Sequence, residues 1–388
     1  MSARGYDDIV LTVPVSVPYQ RYSNDSAAAF FARALRGLLG GAGIAKDRVD
    51  GVCISSFTLT PDSGIGLAHA LGLELGWLDS IFLGGASAIA AIRRAAAAVQ
   101  GGDATIVACM GADTNTPTGF RENTARFSQA SQDAVYPYGA GGPNQSFAFL
   151  TDHYMRRYGA RAEDFGRLCI AQRRNGLNNP RAMIRKELTM DAYLTARPIA
   201  GPLRLFDCVM PCAGAEAFLV MRRQEAERLD LAHCVLLASS ERHNSFPDDP
   251  VQDRAGWALD ADRLFATARI ERTGIDCFQT YDDYPVISFL QLEDFGFCEK
   301  GAAAGFVASH DLGFGGDFPV NTGGGQLSSG QAGFAGGFLG VTETLRQLTG
   351  TAEGHQVPDA SIGLVSGFGM IVYDRGLSCG AAILAAAR

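Results

Sequence analysis

The 388-residue chain has no apolar stretch long enough to cross a bilayer. A spanning helix needs roughly 18–20 nearly uninterrupted apolar residues, so a helical membrane protein is not expected. The opening residues, MSARGYDDIVLTVPVSVPYQ, lack the apolar core and small-residue cleavage pattern of a secretory signal, and a cytoplasmic location is expected. A basic excess is also missing: 33 Lys and Arg stand against 41 Asp and Glu, a net charge of −8. Binding nucleic acid requires clustered cations to neutralise phosphates, so nucleic acid is not expected as the main partner. The arginine doublets (Arg93-Arg94, Arg156-Arg157, Arg173-Arg174, Arg222-Arg223) read as solvated helix faces. The nine cysteines are an odd, scattered set, mostly within apolar runs. They suit reduced, buried thiols rather than a disulfide framework. Cys208 and Cys212 lie four apart, but no second pair or nearby histidine completes a metal site, and none is expected.

What is present is the composition of a globular protein, 47% hydrophobic and 19% charged, in a chain long enough for two cores. DGVCISSF reads as a strand, AIAAIRRAAAAVQGG as a helix closed by glycines, and ATIVACMGAD as the next strand. This strand–helix–strand order indicates an α/β protein. QSFAFLTDHYMRRYG and AEDFGRLCIAQRRNGLNN read as helices, and CVLLASS as a strand. Later, IDCFQTYDDY runs from a strand into a loop, PVISFLQLEDFGF continues as a helix, and ASIGLVSGFGMIVYD and SCGAAILAAA are strands. A Gly-rich turn opens a helix near residue 84, a strand ending in glycine follows, and the same order recurs near residue 330. The shared unit is long and occurs twice, which indicates a pseudo-duplication rather than a short-period solenoid. The expected division is a first half from residues 1–117 and 231–259, an inserted loop and helical region over 118–230, and a second half over 260–388.

Four stretches carry the chemistry. LGGASAIAAIRRAAAAVQ places a small-residue turn at a helix start, where exposed N–H groups and the helix dipole favour negative charge. It serves equally as a tight strand-to-helix turn. Tyr281, Asp282, Asp283 and Tyr284 put two phenols and two carboxylates into four residues. One of the aspartates could instead cap the helix that begins near Pro285. Asn144 and Gln145 of GGPNQS either line a cleft or cap the following helix. NTGGGQLSSGQAGFAGG is the fourth stretch.

Together with PLRLFDCVMPCAGAEAFLVM and YDDYPVISFLQLEDFGFCEKG, these segments resemble the thiolase superfamily, in order and over almost the whole chain. The nearest subgroup is that of the sterol-carrier or lipid-transfer thiolase-like proteins. The resemblance implies a thiolase fold: two βαβαβαββ halves in a five-layer αβαβα arrangement with an inserted loop region. It also implies a coenzyme A thioester substrate with no bound cofactor, and a homodimer.

The residues that thiolases use are absent. Where the family has a nucleophilic Cys followed by Ala-Ser, this chain reads Gly85-Ala86-Ser87. Its late Gly-His-Pro is Gly330-Gln331-Ala332, and its second Cys falls at Val365. Acyl transfer through a thioester needs an accessible thiolate and a base. Ser87 offers only a hydroxyl, and neither Gln331 nor Val365 can take its proton. Some members of the subgroup lack the Cys and cleave steroid side chains as aldolases, with a small DUF35-type partner (an OB-fold and zinc ribbon) in a heterotetramer.

An aldolase reading assigns Tyr281, Asp282, Tyr284 and Gln331 to proton transfer. It assigns Gly84, Gly85, Ser87 and Asn321 to the elbow and the developing oxyanion. Asn144, Gly324, Gly325, Phe334, Gly367 and Phe368 are expected around the substrate. The subgroup's aldolases place a second tyrosine in the late loop, where this chain has Gln331 and Phe334 but no tyrosine. A non-catalytic acyl-CoA or lipid-binding subunit and an acyltransferase using Ser87 are the alternatives.

Overall fold

The computed structural model describes residues 5–6, 8–119, 122, 135–139, 142–372 and 375–387. Nine strands form one mixed sheet: β1 (Ile9–Gln20), β2 (Gly51–Ser55), β3 (Trp77–Ser80), β4 (Ile106–Asp113), β5 (Ala213–Arg222), β6 (His233–His243), β7 (Cys277–Gln279), β8 (Ile362–Val372) and β9 (Arg375–Ala386). Their order is β3-β2-β4-β5-β1-β6-β9-β8-β7. The sheet is two half-sheets joined at a narrow seam. Strands β1 and β6 meet only where Val10–Thr12 face His233–Val235, whereas β6 pairs with β9 along nearly its whole length.

The duplication is visible in this topology. Parallel strands β3, β2 and β4 are followed by antiparallel β5 and β1. In the second half, β7 and β8 are parallel and are followed by antiparallel β9 and β6. A parallel bridge between Phe278 and Val320 occupies the place that β3 holds in the first half.

The helices used below are α1 (Ala27–Ala42), α2 (Gly64–Leu71), α3 (Ser87–Gly101), α4 (Pro143–Tyr158), α5 (Ala162–Asn178), α6 (Trp257–Ala268), α7 (Pro285–Asp294), α8 (Gly325–Ser329) and α9 (Gly336–Leu348). Helix α3 explains the layering. Its first six residues, Ser87–Ile92, are all buried, and a helix apolar on every side must be enclosed. Alanine at Ala88, Ala90, Ala91, Ala95 and Ala96 lets the two half-sheets close on it. Helix α9 lies beside it, and Phe338, Val341 and Leu345 join Val107, Phe218, Val365 and Leu384 in the central core. Helices α1 and α2 cover the outer face of the first half-sheet. Helices α4, α5, α6 and α7 cover the outer face of the second. The result is an αβαβα stack.

Two segments sit differently from the sequence-based division. Residues 231–259 supply β6, whose long partner β9 belongs to the second half. Residues 213–222, within the expected insertion, supply β5 at the centre of the first half, between β4 and β1. An apolar run shows that a strand exists, but its neighbours are fixed by pairings hundreds of residues away. Part of the expected insertion (120–121, 123–134 and 140–141) lies outside the described residues. Among the described residues, no helix is long and apolar enough to cross a membrane.

Phe338 is fully buried, tilts against Phe218 at 5.9 Å and fills the space above Gly111. Phe338→Ala is expected to cost about 3–5 kcal/mol, read as a lower denaturation midpoint at unchanged slope. A loss under about 1 kcal/mol would contradict this central packing.

Candidate active site

Four loops converge at the carboxyl ends of the strands, where open α/β sheets bind ligands. They come in pairs related by the duplication. Ser56–Thr58 follow β2 as Thr280–Asp283 follow β7. The Gly84–Ala86 turn precedes α3 as the Gly333–Ala335 turn precedes α9. They enclose a small cavity of about 110 Å³.

The Gly84–Gly85 elbow is shaped by what its neighbours fill. Gly84 has a left-handed φ of 55°. A Cβ on Gly85 would land inside the Tyr281 ring and against the Phe368 carbonyl. The phenol thus takes up the volume of the missing side chain. Gly367 abuts the Gly85 carbonyl, since a Cβ there would stand 2.6 Å from it. A Cβ on Gly369 would stand 2.6 Å from the Gly85 nitrogen and 3.0 Å from that of Ala86, so its absence leaves the elbow amides uncovered. The Ala86 N–H is already bonded to the Leu83 carbonyl at 3.1 Å. The Gly85 N–H, at the positive end of α3, is left as the donor suited to a developing oxyanion. Ser87 is fully buried, and its Oγ accepts the Leu83 N–H at 3.1 Å. It serves the turn and does not face the cavity.

Tyr281, Asp283 and Gln331 form the polar centre. Gln331 is fixed by its backbone: its N–H donates to the Met210 carbonyl, and its own carbonyl accepts from Cys212 N–H, both at 2.9 Å. Its side-chain amide donates to the Asp283 carboxylate and, at 3.4 Å, to the Tyr281 hydroxyl. Burial, reinforced by the Asp283 charge, pushes the Tyr281 phenol well above its ordinary range. It therefore stays protonated and acts as a donor. Burial pushes Asp283 up to about 8; the hydrogen bond with Tyr281 opposes the rise and the neighbouring Asp282 adds to it. A carboxyl titrating there is placed for proton transfer near neutral pH.

The structure separates the two aspartates of the cluster. Asp283 lines the cavity, while Asp282 turns away. Asp282 accepts the backbone N–H of Gln326 at 3.0 Å and of Leu327 at 3.3 Å, pinning the first turn of α8. Gly325 lies against that carboxylate, and Gly324 packs on Gly176. Asn321 donates to Thr280 Oγ1 at 2.9 Å and faces a second, larger space rather than the elbow. These residues build the late loop and do not touch the cavity. Tyr284 does not touch it either. Its hydroxyl donates to Asn144 Oδ1 at 2.6 Å, and its ring stacks on Phe147 at 4.5 Å, which fixes the start of α4 beside the entrance. Phe334 and Phe368 line the cavity, whereas Phe338 is in the central core.

Three contributors escape sequence reasoning. Asp113, at the end of β4, gathers Ser56 Oγ, Phe57 N, Thr58 N and Thr58 Oγ1 on one oxygen at 2.7–2.9 Å, and Phe334 N on the other at 2.7 Å. It ties together loops from both halves, and burial raises it to about 6 despite these bonds. An acid closing the buried strand MGAD was the available signal. Phe57 and Phe82 form the second and third: they pack edge-on against Phe334 at 4.4 and 4.7 Å, and Phe82 stays half-exposed at the rim. Cys212 also lines the cavity, although it lies on none of the four stretches singled out in the sequence. Burial and the nearby Glu216 hold its thiol well above the usual range. It is therefore a neutral, weakly reactive wall.

Comparison with known proteins places this geometry in context. The Thiolase C-terminal domain-like family matches residues 238–379. The chain is 31% identical over 351 residues to a 17-hydroxy-3-oxo-4-pregnene-20-carboxyl-CoA lyase of Mycobacterium tuberculosis, covering 86% of this chain and 89% of that protein. It is 29% identical to a steroid side-chain-cleaving aldolase of Thermomonospora curvata, covering 94% and 95%. Among solved structures, the Ltp2-ChsH2(DUF35) aldolase superposes with a TM-score of 0.83 at 27% identity, over 98% of each chain.

Gly85→Cys restores the sulfur that the elbow lacks. It is expected to destabilise by about 1–3 kcal/mol through collision with Tyr281, and to gain no acyl transfer. Thermal denaturation and a thiolysis assay check both outcomes. Wild-type stability would mean that the ring does not occupy that space.

Proposed function

Because the chain belongs to the thiolase superfamily, in its sterol-carrier and lipid-transfer thiolase-like subgroup, we propose that it is a carbon–carbon lyase. It cleaves a β-hydroxyacyl-CoA thioester as an aldolase, with no acyl-enzyme. The observation that carries this reading is the Tyr281–Asp283–Gln331 cluster set directly on a glycine elbow. A proton-transfer group faces an oxyanion donor, and no activated nucleophile stands between them.

In the proposed step, the ionised Asp283 carboxylate takes the proton of the β-hydroxyl. The Cα–Cβ bond breaks, its electron pair passes to the thioester oxygen as an enolate, and the β-carbon becomes a carbonyl. The Gly85 N–H and the α3 dipole stabilise the enolate oxygen, and the protonated Asp283 returns its proton to Cα, which releases the shorter acyl-CoA and restores the carboxylate. Tyr281, held protonated, donates to the hydroxyl oxygen or to Asp283 and orients both. Gln331 positions the pair. Asp113 shapes the cavity through the two loops that it holds.

The likeness to a lyase of a pregnene carboxyl-CoA and to a steroid side-chain-cleaving aldolase supports a bulky, apolar acyl group. The Phe57, Phe334 and Phe368 walls agree with it. The half-exposed Phe82 at the rim supports a second chain closing the site, which the reading assigns to a DUF35-type partner or to the homodimer mate. A cytoplasmic location is part of the same reading. A second reading, a non-catalytic acyl-CoA-binding subunit, rests on the absence of a late-loop tyrosine, where Gln331 stands.

The test is a panel of β-hydroxyacyl-CoA thioesters, steroid-derived ones included, with and without a DUF35 protein encoded beside this chain. Release of a ketone or aldehyde with a shortened acyl-CoA supports the lyase. Tight acyl-CoA binding without any cleavage supports the second reading.

Asp283→Asn is expected to lower kcat/KM by about 100-fold or more. Wild-type kcat/KM should rise with pH and level off above about 8. Stability should move the other way. The Asp283 carboxyl binds its proton more tightly folded than unfolded, where its pKa is ~3.9. Its contribution is therefore full below about pH 4 and is lost as pH rises to 8. Asp283→Asn should accordingly melt higher than wild type at pH 8.5 and equally at pH 4. The same difference at both pH values would contradict the assignment.

A further inference from the structure

A second cavity, of about 480 Å³, lies behind Tyr281, between β1, β5, the late loop and α9. The aldolase reading leaves it without a role. On one wall stands Arg346, which is 5% exposed. Its guanidinium donates to Ser16 Oγ at 2.8 Å. Among the described residues it makes no ion pair.

The two carboxylates of the cavity are engaged elsewhere. Glu343 pairs with His355 at 3.0 Å and accepts from Thr322 Oγ1 at 2.7 Å. Glu216 accepts from Ser16 at 2.7 Å and from Thr342 at 2.5 Å. Both carboxylates attract the buried guanidinium from a distance, Glu216 through the shared Ser16 hydroxyl, but neither contacts it directly, and it faces the open space. It is a ready bidentate partner for an anion. A second observation points the same way: the side-chain carbonyl of Gln326, 2% exposed on another wall, has no hydrogen-bond partner. At the mouth stand Arg181 and Arg185, both solvent-exposed.

From this arrangement we infer that the cavity is a binding site for an organic carboxylate, held by Arg346 and hydrogen-bonded by Gln326 to a donor on its body. A singly charged carboxylate fits better than phosphate, because a dianion would meet Glu216 and Glu343. The volume exceeds that of a bare anion, so the ligand carries a body, which Val17, Met183 and Leu339 can cover. The carboxylate comes either from a free acid or from the distal end of an acyl-CoA reaching past Tyr281, which lines both cavities.

The test uses the intact chain and, as probes, succinate and benzoate with inorganic phosphate for contrast, followed by calorimetry and thermal shift. Saturable carboxylate binding is expected, tighter than phosphate. Arg346→Gln should weaken it about tenfold or more, the weight of a charged hydrogen bond, and Arg346→Lys should recover part of it. Leu339→Trp, which fills the space and keeps the charge, should also abolish binding while the protein still melts cooperatively.

No saturable carboxylate binding, or unchanged binding to Arg346→Gln, overturns the site. Because the readout needs no turnover, it stands or falls apart from the lyase reading. Competition between the probe and a distally carboxylated acyl-CoA, lost on methyl esterification, marks the carboxylate as part of the substrate. Binding without competition marks a separate ligand; both patterns keep Arg346 as the anchor.

Discussion

The site depends on the contact between the Tyr281 ring and the Gly85 backbone. It joins the loop after β7 of the second half to the turn before α3 of the first, and it holds only because residue 85 has no side chain. The contact leaves no room for a nucleophile at the elbow, yet leaves an uncovered amide beside a proton-transfer cluster. The missing side chain at residue 85 and the phenol at residue 281 are therefore two sides of one contact.

The duplicated architecture makes that contact possible. Helices α3 and α9 lie side by side in the central layer, so their starting turns face each other across the pseudo-symmetry. Asp113 spans the same divide, binding Ser56–Thr58 of one half and Phe334 of the other. Burial raises Asp113, Asp282 and Asp283 together. Stability is spent at this seam, as is usual where a polar site must be kept dry. The backbone bonds to Asp282 and Asp113 keep those two carboxyls nearer their ordinary range. Asp283, with fewer donors, rises furthest.

Much of the fold was legible in the chain. The alanine-rich run after Gly85 read as a helix, and the repeated turn-helix-strand order exposed the duplication. The elbow glycine and Gln331 were also readable, because their identity rather than their geometry carried the signal. Other features were not. Asp282 and Asp283 are adjacent carboxylates in an irregular turn, and which one faces the cavity is decided by the α8 amides some 44 residues on. Tyr284 looked as suitable as Tyr281 until Asn144 claimed its hydroxyl. Cys212 and Asp113 reach the cavity through pairings that no local pattern encodes. The strand at 233–243, placed with the first half from sequence, pairs mainly with β9 for the same reason.

The central claim is that cleavage proceeds without covalent capture of the acyl group, although the Cys212 thiol lines the cavity. Intact-protein mass spectrometry after rapid acid quench, with the chain turning over its acyl-CoA, tests this directly. The account predicts a protein of unchanged mass at every time point. An acyl adduct mapped to Cys212, formed and consumed at the rate of turnover, would contradict it.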